Sequence, residues 1–307
     1  MKRSLVLFAV AIAIAVTGSA DAHLFGENGE GNPWFLPAVR DDVIPTIDGD
    51  LSDWAFWPDE YTFTPENWPA VGQWNEEEAA NTTKDDFDVI VYGPAWIPST
   101  SEIIWAAHKV DDYFYGPDEC YCMGWAEDNM QIAIDADHGG DEFGADDIAN
   151  NVLNRGLQYQ QNYLMPKHGG IHGVFVDHRG LDYAYAPPWA FFEFSRRDWV
   201  EGGDGSYDIE HRFTAFTSLS NNGIDDAVVH TFQPGDIIGL SVDITDYDAD
   251  GERQGDVDLD YGNISFGGDQ LGDFYLLSVE ETQDLYKDVP TAVENASWGR
   301  VKAALGK

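Results

Sequence analysis

The stretch Ile47-Asp48-Gly49-Asp50-Leu51-Ser52-Asp53-Trp54 is the part of this chain that says most about its fold. An apolar residue leads into a tight Asp-Gly-Asp turn, and the apolar–polar alternation that follows ends on a tryptophan. This pattern is typical of the start of a β-sandwich. The turn is also rich in oxygen atoms, which are the ligands that a hard cation prefers.

Outward from this stretch, the N-terminus has the pattern of a secretory signal peptide. Lys2 and Arg3 are positive, the apolar run from Leu5 to Val16 is too short to span a bilayer, and Ala20-Asp21-Ala22 offers a cleavage site. We therefore expect an exported protein that is secreted, held at the cell surface or kept in the periplasm. The predicted division of the chain is a signal peptide (1–22), an extended leader (23–42), a β-sandwich domain (43–280) and a C-terminal helical tail (281–307).

The charge of the chain restricts its partners. With 56 acidic and 16 basic residues, the formal net charge is −40. Nucleic acids and anionic lipids require a basic patch, so we expect neither as a partner, and we expect no membrane span in the mature chain. Strongly acidic surfaces keep proteins soluble at high salt, which favours a halophilic or marine habitat.

Short alternating segments bounded by turn residues predict a mostly β protein. The predicted strands cover residues 85–93, 102–110, 129–135, 171–178, 207–216, 237–244 and 274–279. Residues 145–164 lack the turn residues that bound the predicted strands, and we expect one or two short helices there. The predicted fold is one antiparallel β-sandwich of jelly-roll or immunoglobulin-like type, with a few short helices in loops and a short C-terminal helix.

The clearest candidate for a metal-binding site is an acidic loop that follows the predicted strand at 237–244. Aspartates alternate along the loop and a glycine permits a sharp turn, as in loops that wrap calcium with several oxygens. The predicted ligands of a structural calcium are Asp246, Asp248, Asp250, Glu252 and Asp256. The loop is not an EF-hand, because its twelfth position is Val257. A solvated acidic turn without an ion is the alternative.

Four segments, in order along the chain, resemble the motifs of the family 9-like carbohydrate-binding modules, in the DOMON-like sandwich superfamily. They are Ile47–Trp54, Trp125–Asp135, Tyr207–Glu210 and Pro234–Arg253. The resemblance implies a β-sandwich and non-catalytic binding of a polysaccharide or oligosaccharide. Family members clamp a glycan end between two tryptophans, one late in the domain, whereas this chain has none between Trp199 and Trp298.

Aromatic residues in loop-like sequence are the candidates for stacking on a sugar ring. Trp54 and Trp105 lie in apolar patterns and are expected in the core. The predicted ligand-binding residues are Trp96, Tyr183, Tyr185 and Trp189, the last three in a stretch that Pro187 and Pro188 stiffen.

Two other functions stay open from the sequence. The related sandwich family includes haem b domains for electron transfer, and Met123, Met130 or Met165 with His168 or His172 would supply axial ligands. A surface or matrix protein without a small-molecule ligand is the other. The sequence has neither a Gly-x-Ser-x-Gly elbow nor a His-Glu-x-x-His motif, and we do not expect an enzyme.

Overall fold

The computed structural model describes residues 34–64, 70–71, 87–116, 127–139, 160–165, 170–173, 181–195, 200–220, 222–251, 253–258 and 271–286. The strands are β1 (Trp34–Leu36), β2 (Thr62–Phe63), β3 (Ala70–Val71), β4 (Phe87–Ile97), β5 (Glu102–Asp111), β6 (Asn129–Asp135), β7 (Gln160–Met165), β8 (Gly170–Gly173), β9 (Ala190–Phe194), β10 (Gly205–Thr214), β11 (Phe216–Ser218), β12 (Val228–Val229), β13 (Ile237–Tyr247), β14 (Arg253–Asp258) and β15 (Gly272–Leu276). Short 3-10 helices cover Asp41–Val43, Leu51–Trp54, Asp59–Tyr61, Asp182–Tyr185, Ile224–Asp226 and Gln283–Tyr286.

Two large sheets form the body of the protein. The eight-stranded sheet has the order β1-β15-β13-β6-β7-β8, with β14 paired to β13 and β3 paired to β14. The five-stranded sheet has the order β2-β4-β5-β10-β9, and β11 with β12 forms a separate ribbon. Pairing between the described strands is antiparallel except for β1 with β15.

The two sheets pack face to face. Successive side chains of a strand point to opposite faces, so alternate residues line the inner face of each sheet. Ile238, Leu240 and Val242 of β13 and Ile103 and Trp105 of β5 belong to one buried core. This shared core confirms the predicted β-sandwich.

The predicted strands overlap β4, β5, β6, β8, β10, β13 and β15. The helix prediction for 145–164 is wrong at its end, because residues 160–164 lie in β7, and residues 145–159 lie outside the described residues.

The predicted leader contributes β1, and Leu36 and Ala38 are buried in the core, so the sandwich begins before residue 43. The signal peptide and residues 287–307 of the predicted helical tail lie outside the described ranges, and within the described part of that tail a 3-10 helix covers Gln283–Tyr286. Within those ranges, no helix has the length and apolar character needed to cross a bilayer.

The opening stretch packs on the outer face of the five-stranded sheet. Its Leu51–Trp54 segment is a 3-10 helix, and Trp54 and Trp57 pack against Ile104 and Ala106. Gly49 has φ of +83°, and a Cβ there would come within 3.2 Å of the β9 backbone, so the turn requires glycine.

Glu210 on β10 fastens this turn to the sheet. Its carboxylate accepts hydrogen bonds from the backbone N–H of Asp48 (2.8 Å), the backbone N–H of Gly49 (2.5 Å) and the indole N–H of Trp54 (2.7 Å). Burial raises the pKa of Glu210, and these three donors partly oppose the rise. These hydrogen bonds therefore join the first and third of the four motif segments, Ile47–Trp54 and Tyr207–Glu210.

Candidate functional site

Three of the four predicted sugar-binding residues lie together beside the sandwich. Tyr183 and Tyr185 come from the 3-10 helix Asp182–Tyr185, and Trp189 follows at the end of the next turn. The Tyr183 and Trp189 rings contact Phe216, with ring centroids 5.9 Å (Tyr183) and 5.7 Å (Trp189) from the Phe216 ring. Tyr185 packs against the same buried group, which also contains Leu181 and Ala184, and its hydroxyl is buried. All three side chains are half-buried. We call Tyr183, Tyr185 and Trp189 the aromatic platform.

Local contacts hold the platform in place. Ser220 donates its backbone N–H to the Tyr183 hydroxyl at 3.0 Å, which ties the platform to the loop after β11. Between Tyr185 and Trp189, the residues Ala186, Pro187 and Pro188 are exposed. The platform is therefore anchored from below by Phe216 and open to solvent along this turn.

Trp96, the fourth predicted residue, lies in the core. It is 1% exposed, and its indole N–H donates to the Leu277 carbonyl at 2.9 Å. Trp96 was predicted to lie in loop-like sequence, whereas β4 continues through Pro94 with a register irregularity between Tyr92 and Ala95. Such a bulge accommodates the proline and exchanges the faces of the strand, which turns Trp96 inward. Trp96 has no exposed ring face for a ligand.

Trp54 and Trp105 are buried in the core, as predicted.

Of the predicted haem ligands, Met130 is the one with a described side chain, and it lies in the core between the sheets. The other candidates, Met123, Met165, His168 and His172, lie outside the described residues or in strands whose side chains are not described.

The predicted calcium ligands are divided between two places. The β13–β14 turn is sharp as predicted: Gly251 has φ of +78° and donates its N–H to the Asp248 carbonyl at 2.8 Å. Asp248 is half-buried and Asp250 is exposed at this turn, but Asp246 is 2% exposed and points between the sheets. Glu252 lies outside the described residues, and of Asp256 the structure describes only the backbone, in β14 opposite Thr245.

Asp246 belongs to a buried charged group that we call the Lys109 cluster: Lys109, Asp111, Asp128 and Asp246. All four side chains are at most 2% exposed. The Lys109 ammonium lies 2.9 Å from Asp111 Oδ2, 2.9 Å from Asp246 Oδ1 and 3.6 Å from Asp128 Oδ1. Because Lys109 comes from the five-stranded sheet and Asp246 from the eight-stranded sheet, the cluster links the two.

The charged groups of the Lys109 cluster change one another's pKa values. Burial alone would lower the pKa of Lys109, but the attraction of the three carboxylates is larger in sum and raises that pKa well above its ordinary value. Burial raises the pKa of Asp246 to about 6 and the pKa of Asp128 well above its usual range, against the opposing effect of Lys109. Lys109 is therefore a charged ammonium at neutral pH.

The sequence analysis did not identify this cluster, although β5 contains a signal for it. Ile103, Trp105 and Ala107 face the core at every second position, and the same period places Lys109 and Asp111 on that inner face. A lysine at an inward position predicts a buried ion pair, because lysine is almost never fully buried unless paired.

Several solved structures are similar to this chain, and three of them are described below. No known family and no curated protein matches this chain. A family 9 carbohydrate-binding module from Caldicellulosiruptor kristjanssonii in complex with cellotriose is 12% identical, covers 80% of this chain and 93% of its own, and has a TM-score of 0.45. The same module with glucose is 12% identical, with coverage of 79% and 94% and a TM-score of 0.44. A protein from Bacteroides uniformis ATCC 8492 is 9% identical, with coverage of 79% and 97% and a TM-score of 0.44.

The first two structures belong to the family that the sequence motifs resemble. Because identity and TM-score are this low, we derive the function from the residues of this chain.

Proposed function

We propose that this protein is an exported, non-catalytic domain that binds glycans through the aromatic platform. The supporting observation is the grouping of Tyr183, Tyr185 and Trp189 on one buried cluster that contains Phe216, with all three residues half-buried beside an exposed turn. A pyranose ring presents apolar C–H groups that pack on aromatic faces, and rings held by neighbours lose little conformational entropy on binding.

Polar groups at the edge of the platform would orient the sugar. Ile224 packs against the same aromatic cluster, and the flanking Asn222, Asp225 and Asp226 are exposed. Amide and carboxylate oxygens accept hydrogen bonds from sugar hydroxyls, while the amide also donates. Few oriented polar groups beside an apolar surface are typical of small-ligand sites.

The test is affinity gel electrophoresis of the mature chain in plant, algal and bacterial polysaccharides, followed by titration with oligosaccharides of the best ligand. Replacing Trp189→Ala should weaken binding about tenfold, since loss of a stacking contact of about 1.4 kcal/mol corresponds to that factor. Phe35→Ala is the matched control, because Phe35 is an aromatic residue that is 53% exposed and lies on β1, away from the platform. Absence of retardation by every polysaccharide, or an equal loss in both variants, would contradict the proposal.

We also propose that a structural calcium binds at the β13–β14 turn. Asp248 and Asp250 lie on one tight turn closed by Gly251, and Glu252 and Asp256 follow in the sequence. Asp246 is not part of this proposed site, because Lys109 engages its carboxylate.

A further inference from the structure

The Lys109 cluster has the donor set of a cation site. Besides the three carboxylates, the ammonium donates a hydrogen bond to the Thr245 carbonyl at 3.1 Å. One oxygen from each of Asp111, Asp128 and Asp246 lies within 4.8 Å of the other two. Carboxylate and carbonyl oxygens are the ligands that calcium takes. Within the described ranges, no other group of acidic, histidine or cysteine side chains converges in this way.

Two of the three carboxylates, those of Asp111 and Asp128, are held by contacts that do not involve Lys109. The two oxygens of Asp128 accept backbone N–H groups from Tyr247 (2.8 Å) and Tyr115 (2.7 Å). Asp111 Oδ1 accepts the backbone N–H of Tyr113 at 3.0 Å. These donors fix the direction of the remaining lone pairs of Asp111 and Asp128, so the positions of these two carboxylates do not depend on the ammonium.

Tyr207 supplies a further oxygen beside the cluster. It lies directly opposite Lys109 in the β10–β5 register, so both side chains point to the same inner face. Tyr207 is 1% exposed, and its hydroxyl has no hydrogen-bond partner within the part of the chain that the structure describes. The charges of Lys109 and of the three aspartates all act on this hydroxyl. A buried hydroxyl without a partner costs free energy, which a cation in contact with it would offset.

The Lys109 ammonium occupies the position that a calcium ion bound to these oxygens would take. A calcium ion needs its oxygens at 2.3–2.6 Å. Lys109 Nζ is already 2.9 Å from two of the carboxylate oxygens, so an ion bound to the same oxygens would touch the ammonium. The two cations repel each other, and in this buried position little water screens the repulsion.

We propose that Lys109 is a permanent internal cation that occupies a divalent-cation site between the two sheets. The native cluster therefore binds no metal, and removal of the ammonium turns it into a calcium site formed by Asp111, Asp128, Asp246, the Thr245 carbonyl and the Tyr207 hydroxyl. The link between the sheets then needs no calcium from the medium, and any effect of calcium on the native protein arises elsewhere, at the β13–β14 turn.

The experiment measures binding of Tb³⁺ by sensitised luminescence, and of Ca²⁺ by its effect on melting temperature. All variants carry Asp248→Asn and Asp250→Asn, which removes the proposed turn site from the readout. Lys109→Met should gain one equivalent of bound Tb³⁺ and a calcium-dependent rise in melting temperature. Adding Asp246→Asn to Lys109→Met should abolish both gains. If Lys109→Met gains no ion, or gains one that Asp246→Asn leaves unchanged, the proposal is wrong.

A measurement on the protein with Lys109 intact covers the case in which Lys109→Met folds poorly. A ¹⁵N-lysine side-chain NMR spectrum should contain one ammonium signal protected from exchange, still present at pH 9 and unchanged by millimolar calcium. Its assignment follows from its absence in Lys109→Arg. A signal that is displaced by calcium, or a bound metal that Asp246→Asn removes from the native protein, would overturn the proposal.

Discussion

Glu210 on β10 and the Lys109 cluster, whose lysine lies on the neighbouring strand β5, are two buried acidic sites that are stabilised in opposite ways. Glu210 lies on the outer face of the sheet and receives three N–H donors from the opening stretch. The Lys109 cluster lies on the inner face, where a single ammonium faces three carboxylates. The first site uses neutral dipoles that folding of the adjacent turn supplies, and the second uses a full charge that links two sheets.

This difference predicts different sensitivities to mutation. A neutral donor that is lost leaves one unsatisfied group, whereas a buried cation that is lost leaves several buried carboxylates that either stay charged without a partner or must take up protons. Replacing the central group of each site, Lys109 or Glu210, tests this difference in sensitivity.

The largest effect should come from Lys109→Met. We expect a loss of about 3–5 kcal/mol in the free energy of unfolding, because three buried carboxylates lose their cation. Urea unfolding at pH 7 in the presence of a chelator measures the loss. Val110→Met is the control on the same strand, since Val110 is 40% exposed and its replacement should change stability by less than about 0.5 kcal/mol. A loss below about 1 kcal/mol for Lys109→Met would remove the distinction between the two sites.

A smaller effect should come from Glu210→Gln. The amide keeps one acceptor oxygen but directs its NH2 toward the Trp54 indole or toward the N–H groups of Asp48 and Gly49. We expect a loss of about 1–3 kcal/mol in urea unfolding, with faster proteolysis of the opening stretch. Asp225→Asn makes the same carboxylate-to-amide change at an exposed position and should be nearly neutral. If Glu210→Gln unfolds at the wild-type urea concentration, the carboxylate does not hold the turn.

The Glu210 site was partly readable from the sequence, because both of its segments carry local patterns. The Asp-Gly-Asp turn and the strand at Tyr207–Glu210 were each identified, although their contact was not. Alternation along β5 and β13 likewise predicted the strands, since a core-facing side chain recurs at every second residue.

The Lys109 cluster required information that local patterns do not contain. Asp246 lies on β13 of the other sheet and Asp128 directly precedes β6 of that sheet, and only the packing of the sheets brings them to Lys109. In the same way, the acidic loop looked like one calcium site because its aspartates alternate, yet β13 ends within the run and directs Asp246 inward. Trp96 was misplaced because its surroundings resembled a loop, whereas β4 continues to Ile97 through a bulge at Pro94.

The smallest effect should come from Asp50→Ala in the opening turn, and it defines what the carboxylates of that turn do. Asp50 accepts the Ser52 N–H at 3.0 Å as the N-cap of the 3-10 helix, while the Asp48 and Asp53 side chains accept the backbone N–H groups of Asp50 and Thr46. Asp50 is exposed, so water replaces the lost acceptor and the expected loss is about 1 kcal/mol or less. Asp41→Ala, at an exposed position in another 3-10 helix, is the control for charge removal. A loss above about 2 kcal/mol that depends on calcium would mean that the turn holds an ion, as its oxygen-rich sequence first suggested. A small, calcium-independent loss would mean that its aspartates cap the backbone without an ion, and that Glu210 and the packing of Trp54 hold the turn on the sheet.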